Sequence, residues 1–363
     1  MNILIDIGHP AHVHYYRNLA NELVQRGHEV IWTVKEIHVA KKLLDHYGFA
    51  YTVFPKKSDK IFGKAWRQLQ YNIKLYRICR KEKINLAIGT SVSAVHVSLI
   101  STVKSIVFDD DDDAVQPFIT KYVNPFADAL VSPEALKGKR KRKDTIYYPG
   151  YHELAYLHPK RFSPDPAVLK DAGLTPGDTF FIMRFNAFKA HHDVGINGLS
   201  IKQKLELIKL LKPHGKIFIT TERDIEPELK EFQLKINPEK IHSLMAFTTL
   251  FLGDSQTMTS EAAVLGIPSL RCNSFAGRIS YLEEEEHTYG LTFGFKPEDF
   301  LKMLAKLKEL LSMPDLQVEF QKRRQNMLND KIDVTAFWLW FIENYYEYRS
   351  INLDNHDFWA QFK

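Results

Sequence analysis

The sequence holds only two cysteines, Cys79 and Cys272, in 363 residues. They stand far apart without metal-ligand spacing, which excludes a disulfide framework and a cysteine-based zinc site and fits a reducing, cytoplasmic compartment. Long apolar runs are also missing, since none reaches the ~18 residues that a spanning helix needs. The opening stretch MNILIDIGHP lacks a basic segment and carries Asp6, so no secretory leader is expected. Net charge is small, at +5, so the informative quantity is where the basic residues gather. A chain of this length exceeds one ordinary core, and two domains are expected.

Short β-rich runs alternate with helical stretches. Ile3 to Ile5, Val30 to Val34, Tyr51 to Phe54, Leu86 to Ile88, Ser105 to Phe108 and Ala129 to Val131 read as strands of a first domain. Phe180 to Met183, Ile217 to Thr220, Thr249 to Leu252 and Ser269 to Leu270 repeat the theme in a second. Such alternation predicts an α/β fold with two parallel sheets, each covered on both faces. The reading is a Rossmann-like domain over 1–150, a linker over 151–166, a second Rossmann-like domain over 167–330, and an aromatic helix and tail over 331–363. The two sheets are expected to face one another across a cleft.

Parallel sheets bind ligands beyond the carboxyl ends of their strands, which singles out three loops. The first, DIGHPAHVHYYRN at 6–18, leaves strand one and opens a helix. Gly8 suits a tight turn, His9 and His12 with His14 supply imidazoles, and the helix N-terminus favours an anion. The alternative is capping or surface histidines, and their spacing is a poor metal signature. The second loop, MRFNAFKAHHDVGINGLS at 183–200, gathers Arg184, Asn186 and His192, donors suited to a diphosphate; the alternative is a solvated loop. The third, GDSQTMTSEAAVLGIP at 253–268, puts Ser255, Gln256, Thr257, Thr259 and Ser260 where the chain turns into a helix expected over Ser260 to Leu265. Glu261 would repel bare phosphate but can accept from the vicinal hydroxyls of a ribose, so a diphosphate nucleoside explains the mixture. Simple capping explains only part of it.

Two charge runs stand out. Asp109 to Asp113 is expected as a solvated rim with one or two members reaching the cleft; a magnesium site is the alternative. Residues 54–83 hold ten Lys or Arg with interleaved aromatics, and KGKRKRK at 137–143 is a second basic cluster. Both suit peripheral contact with an anionic membrane at its inner face, while no nucleic-acid motif accompanies them.

GDSQTMTSEAAVLGIP resembles the donor-binding segment of GT-B enzymes, especially non-hydrolysing UDP-N-acetylglucosamine 2-epimerases and the lipid II-forming N-acetylglucosaminyltransferase. With IDIGHPAHVHYYRNL, FDDDDDAVQPFITKYVNPFADALVSPEAL and RFNAFKAHHDVGINGLS, the chain over about 1–330 resembles the domain of unknown function 354 family. The resemblance implies a GT-B fold and nucleotide-sugar chemistry. It implies Glu261 on a ribose and Ser255, Gln256 and Thr257 near a diphosphate. It sets His12 and the Asp109–Asp110 strand end at positions of catalytic groups. Epimerases carry an Asp after strand four, where this chain has Thr90, and that lowers the epimerase reading. The expectation is a glycosyltransferase moving a sugar from a UDP-type donor to a glycan or lipid-linked acceptor in surface-polysaccharide assembly. His12, Asp109 or Asp110 would be the base, with no metal and no cofactor expected. A 2-epimerase and a nucleotide-sugar-binding protein without turnover are the alternatives.

Overall fold

Leu4, Ala87 and Val107 point to one face of a sheet and Phe108 to the other, the alternation that strands buried on both faces require. In the computed structural model these residues belong to β1 (Asn2–Ile7), β4 (Leu86–Ile88) and β5 (Lys104–Phe108). With β2 (Glu29–Lys35), β3 (Tyr51–Phe54), β6 (Ala129–Pro133) and β7 (Ile146–Tyr148) they form a parallel sheet of order β3-β2-β1-β4-β5-β6-β7. The structure describes all residues except 56–60, 186–197, 222–224, 351–352 and 354, and the side chains of 61–65, 350 and 356.

Helices α1 (Pro10–Gln25), α2 (His38–His46), α3 (Ile61–Lys81), α4 (Val92–Ser98), α5 (Pro117–Tyr122) and α6 (Leu154–Leu157) accompany this sheet. Tyr71, Leu75 and Cys79 of α3 and Ala94 and Val97 of α4 pack beneath Leu4 and Ala87. On the opposite face Tyr16 of α1 meets Phe108.

The second sheet consists of β8 (Phe180–Phe185), β9 (Lys216–Thr221), β10 (Leu250–Gly253), β11 (Ser269–Cys272) and β12 (Thr292–Phe295), all parallel, in the order β12-β11-β10-β8-β9. Its helices are α7 (Ala167–Asp171), α8 (Ile201–Leu211), α9 (Ile241–Met245), α10 (Gln256–Val264), α11 (Ser280–His287), α12 (Phe300–Leu311) and α13 (Leu316–Asp330). A Ser200–Gln203 capping box starts α8.

The chain then returns to the first unit through α14 (Val334–Glu343) and α15 (His356–Ala360). The units are Met1–Arg161 with Lys331–Lys363, and Phe162–Asp330. Trp338 is fully buried against Tyr16, Phe108 and His152, so the aromatic segment at 331–363 completes the first core. Tyr151 and Leu154 to Leu157, expected within a linker, are buried in that core as well. Strands β7 and β12 were not among those expected.

In both sheets strand order reverses beside a central strand, at β1/β4 in the first and β8/β10 in the second. A crevice beyond the carboxyl ends opens at such a switch point.

Candidate functional site

The rim of the first sheet is organised around the end of β1. Asp6 is buried there and accepts hydrogen bonds from Thr33 Oγ1 at 2.7 Å and from Ser91 Oγ. Gly8 and His9 then turn the chain into α1. His9 is the N-cap, its Nδ1 accepting from the Ala11 N–H at 3.2 Å, and Pro10 takes the first helical position, where its missing N–H costs nothing. Gly8 lies outside the left-handed region, and a Cβ there would stand 3.7 Å from Lys35 Nζ and 3.8 Å from His12 Cε1. A tight turn therefore does not force its size.

His12 Nδ1 accepts from the Gly8 N–H at 3.4 Å. A ring nitrogen that accepts leaves the proton of a neutral imidazole on the other nitrogen, here Nε2. Burial, reinforced by His9, lowers the His12 pKa to about 3 against the opposing pull of Asp110. Near pH 7 His12 is thus neutral and presents an N–H donor. His14 lies on the buried side of α1, stacked on Tyr156 at 5.5 Å, and serves the core.

The acidic run departs from the solvated rim expected of it. Asp109, Asp112 and Asp113 are buried. Arg140 Nη1 donates to Asp109 Oδ2 at 2.8 Å and Asp113 Oδ1 at 3.0 Å, while its Nη2 donates to the Asp109 carbonyl at 2.6 Å and Ser132 Oγ at 3.0 Å. Asn124 Nδ2 adds a 3.1 Å bond to Asp109 Oδ2. Although desolvation disfavours the guanidinium, Asp109 and Asp113 hold it protonated. Asp109 is committed to this lattice. The basic run at 137–143 therefore does not lie wholly on the surface, because Arg142 also turns inward to the Asn124 and Ala127 carbonyls at 2.7 Å each.

Asp110 is disposed differently. It is half-buried, and its Oδ2 lies 3.1 Å from His152 Nδ1. Burial disfavours its carboxylate, but His152 outweighs this and holds the pKa below the usual range. The His152 ring is fixed edge-on by Tyr15 at 5.0 Å and Trp338 at 5.1 Å. His152 is not among the residues the sequence singles out, because it lies in the 151–166 stretch whose composition reads as a linker; the aromatics Tyr151 and Tyr156 beside it are the available signal. Asp109, Asp110 and Asp111 bring one carboxylate oxygen each within 4.8 Å, the geometry of a cation site among the described residues. The Arg140 guanidinium already supplies positive charge to Asp109, so a divalent ion there would have to compete with it. Thr90 donates to the Phe108 carbonyl at 2.7 Å and offers no proton-transfer group.

The second rim lies at β8/β10. Gly253 pairs with Arg184, and a Cβ at 253 would fall 2.1 Å from the Arg184 carbonyl oxygen, so only glycine fits. Arg184 Nη1 donates to Thr220 Oγ1 at 3.0 Å. Helix α10 begins at Gln256, earlier than expected, with Ser255 as N-cap accepting from the Met258 N–H at 3.4 Å. The half-buried Gln256 and Thr257 stand in the first turn, where backbone N–H groups lack intrahelical partners.

Thr259 and Ser260 do not face this turn as expected, because both are buried. Thr259 Oγ1 donates to the Ser255 carbonyl at 2.6 Å, and Ser260 Oγ donates to Glu285 Oε1 at 2.5 Å. Glu261 is buried, its Oε1 lying 2.9 Å from His242 Nε2 of α9. Asn186 and His192 lie outside the described residues.

Several known structures share this architecture. A UDP-N-acetylglucosamine 2-epimerase of Neisseria meningitidis bound to UDP-N-acetylglucosamine aligns with a TM-score of 0.59 at 13% identity, covering 91% of this chain and 95% of that one. Staphylococcus aureus MnaA with UDP aligns at 0.65 and 13%, covering 95% and 96%. A Streptomyces glycosyltransferase aligns at 0.58 and 11%, covering 94% and 99%. At such identities the likeness establishes the fold, which is of GT-B type. An uncharacterised protein of Methanocaldococcus jannaschii is 22% identical over 301 residues, 79% of this chain and 86% of its own length. Residues 1–285 match the family described as Protein of unknown function (DUF354), and with more than half of its length matched the chain belongs to that family.

Proposed function

We propose that the chain is a glycosyltransferase that uses a nucleotide-sugar donor, with a UDP-sugar as the first candidate. The carrying observation is the first turn of α10, set beside Arg184 at the switch point of the second sheet. Its N–H groups and the Arg184 guanidinium form a donor set for a diphosphate. Glu261, oriented by His242, recognises the ribose hydroxyls.

On the first rim, Asp110 takes the proton of an acceptor hydroxyl as its oxygen bonds to the anomeric carbon, and the bond from that carbon to the diphosphate oxygen breaks. Within the first unit His12 orients the acceptor through Nε2–H; within the second, Arg184 and the α10 amides are the groups suited to hold the charge of a diphosphate. Asp109 is too firmly held by Arg140 to share this work. The acceptor class we propose is a glycan or lipid-linked glycan of surface-polysaccharide assembly. No step calls for a metal. Thr90, bonded to a backbone carbonyl, supplies no carboxylate for epimerisation.

Calorimetric titration with UDP, GDP, CDP and dTDP sugars tests this reading. One nucleotide class should bind, and Glu261→Gln should weaken it by roughly 10- to 150-fold, the worth of a hydrogen bond to a charged group. Binding of none of them sinks the proposal. Conversion of UDP-N-acetylglucosamine alone to its manno epimer would reassign the activity.

A further inference from the structure

Helix α3 (Ile61–Lys81) buries Tyr71, Leu75 and Cys79 in the first core. Its other face carries Trp66, 63% exposed, Leu69, 47%, and Ile73, 44%, at the i, i+3, i+7 spacing of one stripe. Ile100, just beyond α4 and 69% exposed, joins them. Leu69, Ile73, Tyr76 and Ile100 line one shallow groove together with Arg77 and Arg80. Single exposed apolar residues are ordinary, but a contiguous apolar face rimmed by charge marks an interaction surface.

The charge on that rim has one sign. No Asp or Glu occurs from Ile61 to Lys81, whereas Arg67, Arg77, Arg80 and Lys81 do; Lys74 turns inward to the Val53 carbonyl at 2.7 Å, and the adjacent Glu82 pairs with Lys81 at 2.9 Å. Among the described residues no helix is long and apolar enough to cross a membrane. An apolar stripe edged by cations suits a helix lying in the plane of a lipid interface, its side chains among the acyl boundary and its cations at the phosphate level. A two-fold contact between copies of this chain is disfavoured, since it would set Arg77 and Arg80 against themselves. Leucine and isoleucine in place of a row of flat rings also argue against a base-stacking platform.

We infer that the Trp66–Leu69–Ile73 face of α3, with Arg77 and Arg80, docks the protein on an anionic lipid surface. The inward-turned arginines at 140 and 142 take no part in it.

Co-sedimentation of the full chain with phosphatidylcholine vesicles, with and without phosphatidylglycerol, tests the assignment. The protein should pellet only with the anionic vesicles and release as salt rises. Arg77→Gln with Arg80→Gln should weaken binding about 25-fold, from ~1 kcal/mol per basic residue near the surface. Trp66→Ser with Ile73→Ser should weaken it about tenfold or more. All four positions are exposed or at the groove, so melting temperatures should match the parent and exclude misfolding. Equal pelleting with both vesicle types, none with either, or unaltered binding of both variants overturns the inference. So does a parent dimer, seen by sedimentation, that the Ser variant abolishes.

Discussion

Replacing Arg140 by leucine removes four hydrogen bonds and leaves the carboxylates of Asp109 and Asp113 buried without their shared cation. Breaking a buried ion pair by removing one partner typically costs about 3–5 kcal/mol, because the remaining charge loses both water and counter-charge. For a unit of this size each kcal/mol shifts the melting temperature by about 2–4 °C, so a fall of roughly 6–20 °C is expected. All five tryptophans, Trp32, Trp66, Trp338, Trp340 and Trp359, lie in the first unit, so intrinsic fluorescence follows that unit specifically. The deficit should depend on pH with a definite sign. Burial already raises the Asp109 pKa against the opposing pull of Arg140, and losing the guanidinium raises it further, so the variant's deficit shrinks as pH falls toward the unfolded value of ~3.9 and is full at higher pH. A variant within about 1 kcal/mol of the parent at pH 7.5, or a deficit that grows on acidification, would refute the assignment of this lattice.

His12 should give the opposite pH signature. Its folded pKa of about 3 lies below the ordinary 6.5, so its contribution is complete above 6.5 and is lost as pH falls toward 3, at up to ~1.4 kcal/mol per pH unit. Urea unfolding at pH 7 and pH 5 should show that His12→Gln flattens this dependence; identical slopes would mean that the imidazole is not held neutral. Gly253→Ala should destabilise the second unit by about 1–3 kcal/mol or more, since backbone stands where the methyl must go. Calorimetry should show that unit's transition moving while the tryptophan-reported one stays, and a shift in neither would show that the β8–β10 rim is looser than its geometry.

The strands were legible because short apolar runs such as Ile3-Leu4-Ile5 and Leu250-Phe251-Leu252, too short for a buried helix and closed by Asp6 and Gly253, fit buried parallel strands. Helix starts were less so: α1 opens on His9 and Pro10, a cap and first-position pair that apolar periodicity does not register, and the first turn of α10 is polar. Arg140 was illegible for a different reason. It is flanked by Lys139 and Lys141 in a basic run, and only the adjacency of β5 to β6 brings Asp109 to Ser132 and the guanidinium between them. Glu261 was recognised as special among small residues, but its partner His242 comes from a separate helix that nothing local ties to it.

The return of the chain to its first unit has a consequence for biosynthesis. Residues 162–330 are translated before Trp338 and the rest of 331–363 exist, so the second unit is complete on the ribosome while the first still lacks a wall. At ~5–20 residues per second the stretch from 162 to Trp338 takes on the order of 10–35 s to make. The usual order of maturation is inverted: residues 1–161 are made before 162–330 yet close after them, and Tyr16 and Phe108 stay uncovered in the nascent chain until α14 emerges.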